Sequence, residues 1–313
     1  MTTFESNFEF DDMLRSFASK VEPSRAQKQA AAKSHKFLRD LLEKSRFGKR
    51  LLPSYLSGSY SRETAIYPID DVDIIFPVDP TFWPSASFLF ASLPEPAAVI
   101  QSFATAIRRR YKNSSVYRQR RSVCLQLYHL DIDAVPAVDV GNGVIQIPDC
   151  DSDEWIRSAP LIHRDVGVAI NSSMGGGFKL VVKLLKSWNS QLPKSRKMKS
   201  FAIESLAMTL FRNRQANGLF ANLVLFFDFI ANVSGSDTAF SWKSDYGVDL
   251  GRWKFLIPDP SGVTRNVCKG LDEVRAEKFV ESSTIARDRL IRAAESVRED
   301  TAERYLKMAL KFD

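Results

Sequence analysis

Gly58-Ser-Tyr-Ser-Arg-Glu-Thr64-Ala-Ile-Tyr-Pro-Ile-Asp-Asp71-Val-Asp73-Ile-Ile-Phe76 is the stretch on which the reading of this chain turns. Asp71 to Phe76, closed by Pro77, reads as a strand behind a turn at Thr64. Side chains of a strand alternate between its faces, so Asp71 and Asp73 project together while Val72, Ile74 and Phe76 point to a core. Two carboxylates on one face make a hard-oxygen site of the kind magnesium prefers. Magnesium binds through a few carboxylates plus substrate phosphates, so the pair points to a nucleotide rather than to a closed protein cage.

A second apolar, alternating run, Val123 to Val135, supplies the next strand and the segment His129-Leu-Asp131-Ile-Asp133-Ala-Val-Pro136. Asp131 and Asp133 again share a face, with Leu130 and Ile132 on the other. A third carboxylate on a neighbouring strand would complete a two-metal site, with ions about 3.5–4 Å apart serving the attacking and leaving oxygens of phosphoryl transfer. Asp70 falls on the face opposite the pair. Asp70 and Asp131 are read as supporting or solvent-facing neighbours, Asp131 the closer to the chemistry.

Outward from this centre, the spacing between Pro23 and Phe47 predicts one long amphipathic helix capped by Ser24. Leu51 to Leu56 reads as a short apolar run, Pro77 to Pro96 as loop, and Ala97 to Tyr111 as helix. The polar text from Asp149 to Pro160 marks a boundary. Beyond it, helices are expected over Phe178 to Asn189, Phe201 to Arg212, Leu219 to Ala231 and Leu271 to Lys311, with Ser241 to Val267 irregular. The expected fold is α+β: a catalytic lobe of mixed sheet and helices (1–160) and a helical lobe (161–313), with the active site in the cleft between them.

A chain of 313 residues, 44% hydrophobic and 26% charged, is neither disordered nor fibrous. Cys124, Cys150 and Cys268 cannot build a disulfide framework or a paired C-x-x-C zinc site. The N-terminus has no basic and apolar leader, and Ala221 to Val233 is short and interrupted by Asp228, so a cytoplasmic protein without a membrane span is expected. A net charge of +7 is compatible with polyanionic substrates and decides nothing alone. Arg108 to Lys112 and Arg118 to Arg121 read as solvated surface, while Lys194 to Lys199 adjoins a possible phosphate site. Gly175-Gly-Gly177 lacks the spacing of a Walker A loop.

Gly-Ser, a spacer, Asp-x-Asp and a distant third acid together resemble the polymerase β-like nucleotidyltransferases. More narrowly, Gly58 to Ile66 before Asp71-Val-Asp73, with Ile132-Asp133-Ala-Val-Pro136, is similar to the bacterial cyclic-oligonucleotide synthases (CD-NTases) with a SMODS domain, related to cyclic GMP-AMP synthase and DncV. Leu184-Leu-Lys186-Ser-Trp188-Asn189, Lys199-Ser200-Phe201-Ala-Ile-Glu204-Ser-Leu206, and Ile257-Pro-Asp259-Pro260 with Asn266-Val267 extend the likeness from about residue 50 to residue 270.

The resemblance implies a role for each position. Asp71, Asp73 and Asp133 are the catalytic and metal-holding residues, for two Mg²⁺ ions with Mn²⁺ able to substitute. Gly58 lets the backbone approach the triphosphate, and the Ser59 hydroxyl donates to its β- or γ-phosphate. Lys186 and Ser200 meet the same phosphates. Phe201 stacks on the donor base, a core packing role being the alternative. Lys179, Lys183 and Lys186 share a helical face, and Lys179 is read as solvated. ATP, GTP or both are the expected substrates and a cyclic di- or trinucleotide the expected product, a purine-containing cyclic dinucleotide such as cyclic GMP-AMP first among them, acting on a separate effector in anti-phage (CBASS) signalling. No Cys/His cluster matches the zinc thumb of the animal enzyme, so no obligatory DNA activator is expected. A linear oligonucleotide synthase or RNA-tailing enzyme is the enzymatic alternative, and a catalytically degenerate nucleotide- or nucleic-acid-binding protein the alternative from another class. No residue pattern speaks to oligomeric state.

Overall fold

The computed structural model describes residues 9–79, 93–232, 234–236, 239–241, 252–253, 257–268 and 270–312. The chain divides into two compact units, one of residues Pro23–Asp165 and one of Met1–Glu22 with Val166–Asp313. Helix α1 (Phe10–Lys20) belongs to the second and α2 (Arg25–Glu43) to the first.

In the Pro23–Asp165 unit, the Ser24 side chain accepts from the Gln27 N–H and starts α2, whose Ala31, His35, Leu38 and Leu42 fall on one buried stripe. A short 3₁₀ turn leads to β1 (Tyr55–Leu56), a one-turn helix α3 (Gly58–Ser61) and β2 (Asp71–Pro77). Then follow α4 (Pro96–Arg110), β3 (Ser115–Arg118), β4 (Val123–Gln126), β5 (Asp131–Asp139), β6 (Ile145–Asp149) and β7 (Glu154–Ser158). These strands form one mixed sheet of order β1-β2-β5-β4-β3, with β6 on β5 and β7 on β6. Only β2 and β5 run parallel, α4 lying in the crossover between them.

The alternation expected from the sequence holds residue by residue. Val72, Ile74, Phe76, Ile132 and Ala134 are fully buried, packed with α2 and with Phe103 and Ile107 of α4. Each large apolar side chain buried there contributes about 1.5–3 kcal/mol. The opposite face carries the acidic residues.

One expectation for this unit is corrected. Val123 to Val135 is not one strand: it folds into a hairpin through the Leu127 N–H to Leu130 C=O bond (3.1 Å), leaving Tyr128 fully exposed at the tip. The polar stretch Asp149 to Pro160, expected to mark the lobe boundary, carries part of a hairpin, β6 and β7 pairing from Ile145↔Ser158 to Asp149↔Glu154, and the division between the two units falls after Asp165. Of the expected Pro77 to Pro96 loop, residues 80–92 lie outside the described residues.

The other unit is built by α1 with α5 (Pro160–Ser173, which crosses the division), α6 (Gly177–Ser190), α7 (Ser200–Asn213), α8 (Leu219–Ala231), α9 (Glu273–Ala294) and α10 (Glu299–Leu310). The first residues therefore do not join the 1–160 lobe of the sequence reading. Phe10, Leu14, Phe17 and Ala18 of α1 are buried in the helical core, Phe10 stacking on Phe220 at 4.3 Å. Asp11 also accepts from the Leu219 (2.8 Å) and Phe220 (2.9 Å) N–H groups, capping α8 where Gly218 has no side chain to do so.

The expected terminal helix is two helices, broken at residues 295–298. Three short antiparallel strands, β8 (Ser234–Ser236), β9 (Ala239–Ser241) and β10 (Arg252–Trp253), follow α8, and of the segment expected to be irregular Ser241, Arg252 and Trp253 fall in them. The rest of 242–256 lies outside the described residues. Among the described residues no helix is long and apolar enough to cross a membrane.

Candidate active site

The parallel register of β2 and β5 sets Asp71 opposite Asp131 and Asp73 opposite Asp133. Four carboxylates thus stand on one face of two adjacent strands, Asp71 exposed and the other three half-buried. Antiparallel β4 continues the two rows with Gln126 opposite Asp131 and Cys124 opposite Asp133. Asp70 lies outside the array; its C=O accepts from the Asp131 N–H at 2.9 Å and so fixes the register.

Gly58 and Ser59 reach this array through β1 and α3. Gly58 has φ +67°, and a Cβ there would lie 1.9 Å from Asp73 Oδ2, so only glycine lets the turn press against the carboxylate. The Ser57 N–H donates to the Asp73 C=O at 2.9 Å, and the Thr64 N–H donates to the Ser59 C=O at 3.0 Å, fixing both ends of the turn. Helix α2 supports it from behind. Arg39 Nε donates to Ser54 Oγ (2.6 Å), the Ser54 N–H donates to Glu43 Oε1 (2.9 Å), and buried His35 meets the Tyr60 ring edge-on at 5.7 Å.

The electrostatics of the array are unbalanced. Burial, then the charges of Asp71 and Asp133, push the Asp73 carboxyl up to about 7. Burial, then Asp71, pushes Asp133 up to about 6, and buried Asp133 Oδ1 has no hydrogen-bond partner. Cys124 is fully buried and its thiol is pushed up to about 11, chiefly by burial, which makes it a neutral neighbour rather than a nucleophile.

Crowded like charges with an orphaned oxygen are what a divalent cation relieves, so Asp71, Asp73 and Asp133 fit a hard metal ion. Among the described residues no three acidic, His or Cys side chains stand together as a group that could hold a metal ion by themselves, so further ligands would have to come from elsewhere.

Lys186, Ser200 and Phe201 belong to the helical unit. Lys186 on α6 is 4% exposed. Lys183, one turn earlier, is also buried and is ion-paired with Glu22, while Lys179, read as solvated, is half-buried. Ser200 is exposed at the first position of α7; its N-cap is Lys199, with no side-chain cap and no acid in the first turn, leaving that end electropositive. Phe201 is half-buried and is not part of the helical core.

Two residues escaped the sequence reading of roles. Asn189, one turn beyond Lys186, is 2% exposed and bonds both backbone groups of Met198 at 2.9 Å. Glu204, one turn beyond Ser200, is a fully buried acid within an apolar helix. The signal available for each was a polar residue at a position where the helical period calls for an apolar one.

Other motif residues prove structural. Asp259 accepts four bonds from Ser261 and Thr264, Asn266 Oδ1 accepts from the Ile257 and Cys268 N–H groups, and Arg212 of α7 donates to the Pro260 C=O at 2.7 Å. Arg120 and Arg121 hold buried Asp149 at 2.6 and 2.9 Å, and Arg196 holds Glu281 at 2.6 Å. The basic clusters are thus partly internal cross-braces.

Comparison with known proteins agrees with this geometry. Residues 9–171 match the family model described as the Second Messenger Oligonucleotide or Dinucleotide Synthetase (SMODS) domain. The chain is 30% identical over 302 residues to a cyclic AMP-AMP-AMP synthase of an Acinetobacter strain, covering 90% of this chain and 78% of that protein. Among solved structures, Escherichia coli MS115-1 CdnC with ATP aligns at a TM-score of 0.72 and 20% identity, covering 96% of this chain and 97% of that one. Bradyrhizobium diazoefficiens CdnG in complex with GTP aligns at 0.70 and 15% identity, covering 97% and 99%. Those likenesses show the fold. With the Gly58-Ser59 turn packed on paired aspartates and the family model spanning the sheet that carries them, this chain belongs to the SMODS family of cyclic-oligonucleotide synthases, nucleotidyltransferases of the CD-NTase group.

Proposed function

We propose that the protein is a Mg²⁺-dependent synthase that joins nucleoside triphosphates into a cyclic oligonucleotide second messenger for anti-phage signalling through a separate effector. The observation that carries this reading is the Asp73↔Asp133 register, with Gly58 against Asp73 and an unpartnered oxygen on Asp133. Asp71, Asp73 and Asp133 would hold two Mg²⁺ ions, with Mn²⁺ able to substitute. When bound, the ions supply charge neutralisation and lower the pKa of the attacking hydroxyl.

The chain's own residues supply placement. Ser59 donates from its hydroxyl to a β- or γ-phosphate oxygen, and the Gly58 turn gives that phosphate close access to the backbone. Lys186 and Ser200 bind the triphosphate tail, Lys186 by charge and Ser200 by its hydroxyl at the electropositive start of α7. Phe201 stacks on the donor base. An acceptor hydroxyl then attacks the α-phosphorus and pyrophosphate leaves.

ATP is the preferred substrate in this reading and a ring of adenylates the product. Its support is a relative named for cyclic AMP-AMP-AMP synthesis that is similar along 302 residues. The test is incubation of the purified protein with all four NTPs and Mg²⁺, phosphatase treatment and mass spectrometry. A phosphatase-resistant ring of three adenylates is expected. A two-nucleotide ring would keep the reaction and change the product, and phosphatase-sensitive chains alone would make the enzyme a linear transferase.

A further inference from the structure

Asn189 lies at the C-terminal end of α6, the helix that carries Lys186, and is almost completely buried. Its Nδ2 donates to the Met198 C=O at 2.9 Å, and its Oδ1 accepts from the Met198 N–H at 2.9 Å. This reciprocal pair spans nine residues and closes the turn between α6 and α7. The same turn is held internally by the Arg196 and Lys197 N–H groups on the Pro193 C=O, at 2.8 and 3.0 Å, and Met198 itself is buried in the core.

Two residues after Met198, α7 starts at Ser200. Lys199, its N-cap, contributes no side-chain cap; the Ala202 and Ile203 N–H groups donate to its C=O at 2.9 and 3.2 Å. Lys186 and Ser200 stand on different helices, 14 residues apart in sequence. Asn189 ties the end of one helix to the approach of the other.

We infer that Asn189 is a positioning residue that fixes Ser200, at the start of α7, against the helix bearing Lys186, so that the two form one preset triphosphate grip. The inference rests on the reading of Lys186 and Ser200 as phosphate contacts. A grip assembled before substrate arrives binds without first ordering a turn, so its loss falls on KM rather than kcat.

The helical unit contains a control. Asn222, also buried, makes the same reciprocal pair with Ala216 ahead of α8, donating to its C=O at 2.6 Å and accepting from its N–H at 2.9 Å, and its Nδ2 donates as well to the Gly218 C=O at 2.6 Å. Asn189→Asp and Asn222→Asp each keep the acceptor and replace the donating amide with an oxygen facing a carbonyl. Both should lower the melting temperature, Asn222→Asp by at least as much as Asn189→Asp, because it loses two donated bonds to the other's one.

Steady-state kinetics with ATP and Mg²⁺, read by pyrophosphate release, separates the two. Asn189→Asp is expected to raise KM about tenfold with kcat within about threefold, the size of one lost hydrogen bond, while Asn222→Asp keeps the wild-type KM. Asn189→Asp combined with Ser200→Ala should raise KM no further than the larger single effect, because both act through one hydroxyl. Equal KM effects from the two Asn variants, no KM effect of Asn189→Asp, or fully multiplying effects in the double variant would each overturn the inference. If Ser200→Ala alone leaves KM unchanged, the phosphate reading of Ser200 fails and the inference falls with it.

Discussion

Asp149 and Asp133 stand on neighbouring strands of one sheet, and each takes a carboxylate out of water. Around Asp149 the chain places Arg120 and Arg121 at 2.6 and 2.9 Å, and those bonds, Arg120 first, hold its carboxyl well below the usual range. Around Asp133 the nearest charges are negative, one oxygen has no partner, and the carboxyl is pushed up to about 6. The same residue type in the same fold is neutralised by protein in one place and left for something else to neutralise in the other. A structural acid is completed within the chain; the array of Asp71, Asp73 and Asp133 is not.

Substitution at the two places should break different properties. Asp71→Asn with Asp73→Asn is expected to lower turnover about a thousandfold or more while the protein stays folded, since neither side chain is part of the apolar core. Pyrophosphate release together with circular dichroism checks it, and turnover above a few per cent of wild type would remove the metal assignment. Asp149→Asn should do the reverse. It removes the negative charge and turns one of the two acceptor oxygens into an amide donor facing a guanidinium, so urea unfolding should show a loss of about 2 kcal/mol, with kcat and KM of the folded enzyme unchanged.

The pH dependence of the metal-free protein sharpens the contrast, because the two sites have opposite signs. Asp73, raised to about 7, contributes stability that is fully present below about 4 and is lost as pH rises through about 7. Asp149, depressed, contributes stability that is present above about 4 and is lost as pH falls below it. The melting temperature without divalent metal should therefore fall by a few degrees between pH 5.5 and 8, at about 2–4 °C per kcal/mol. Asp73→Asn should flatten that slope and leave the acid limb intact; an unchanged slope would show that Asp73 does not titrate there.

The smallest effect expected is none. Arg120 and Arg121 are committed to Asp149, so added double-stranded DNA should not raise turnover, and nuclease treatment should not lower it. Nuclease-sensitive activity would return the basic clusters to ligand binding.

How much of this was legible in the sequence follows from how local each signal is. Ser24 before α2, and the alternation of Val72, Ile74 and Phe76 around two acids, are local patterns, and both elements form where they were expected. The β6–β7 hairpin was not legible, because buried Asp149 makes its strand read as polar and the arginines that satisfy it lie 28 and 29 residues earlier. The β4–β5 turn and the α9–α10 break contain neither glycine nor proline, so no backbone signal marks them. Among site residues, Asp71, Asp73 and Asp133 announce themselves by charge and spacing. Asn189 does not, since its partners are backbone atoms that any residue but proline at 198 would supply.

The central claim is that the three aspartates are completed by a divalent cation, and the most direct measurement is the melting temperature at pH 8 with and without Mg²⁺, for the wild type and for Asp71→Asn with Asp73→Asn. Without metal the variant should melt above the wild type, because the crowded charge is gone. Mg²⁺, with Mn²⁺ as a second probe, should raise the wild type in a saturable way and leave the variant where it was. A variant that melts below the wild type without metal, or that gains as much from Mg²⁺, would contradict the account.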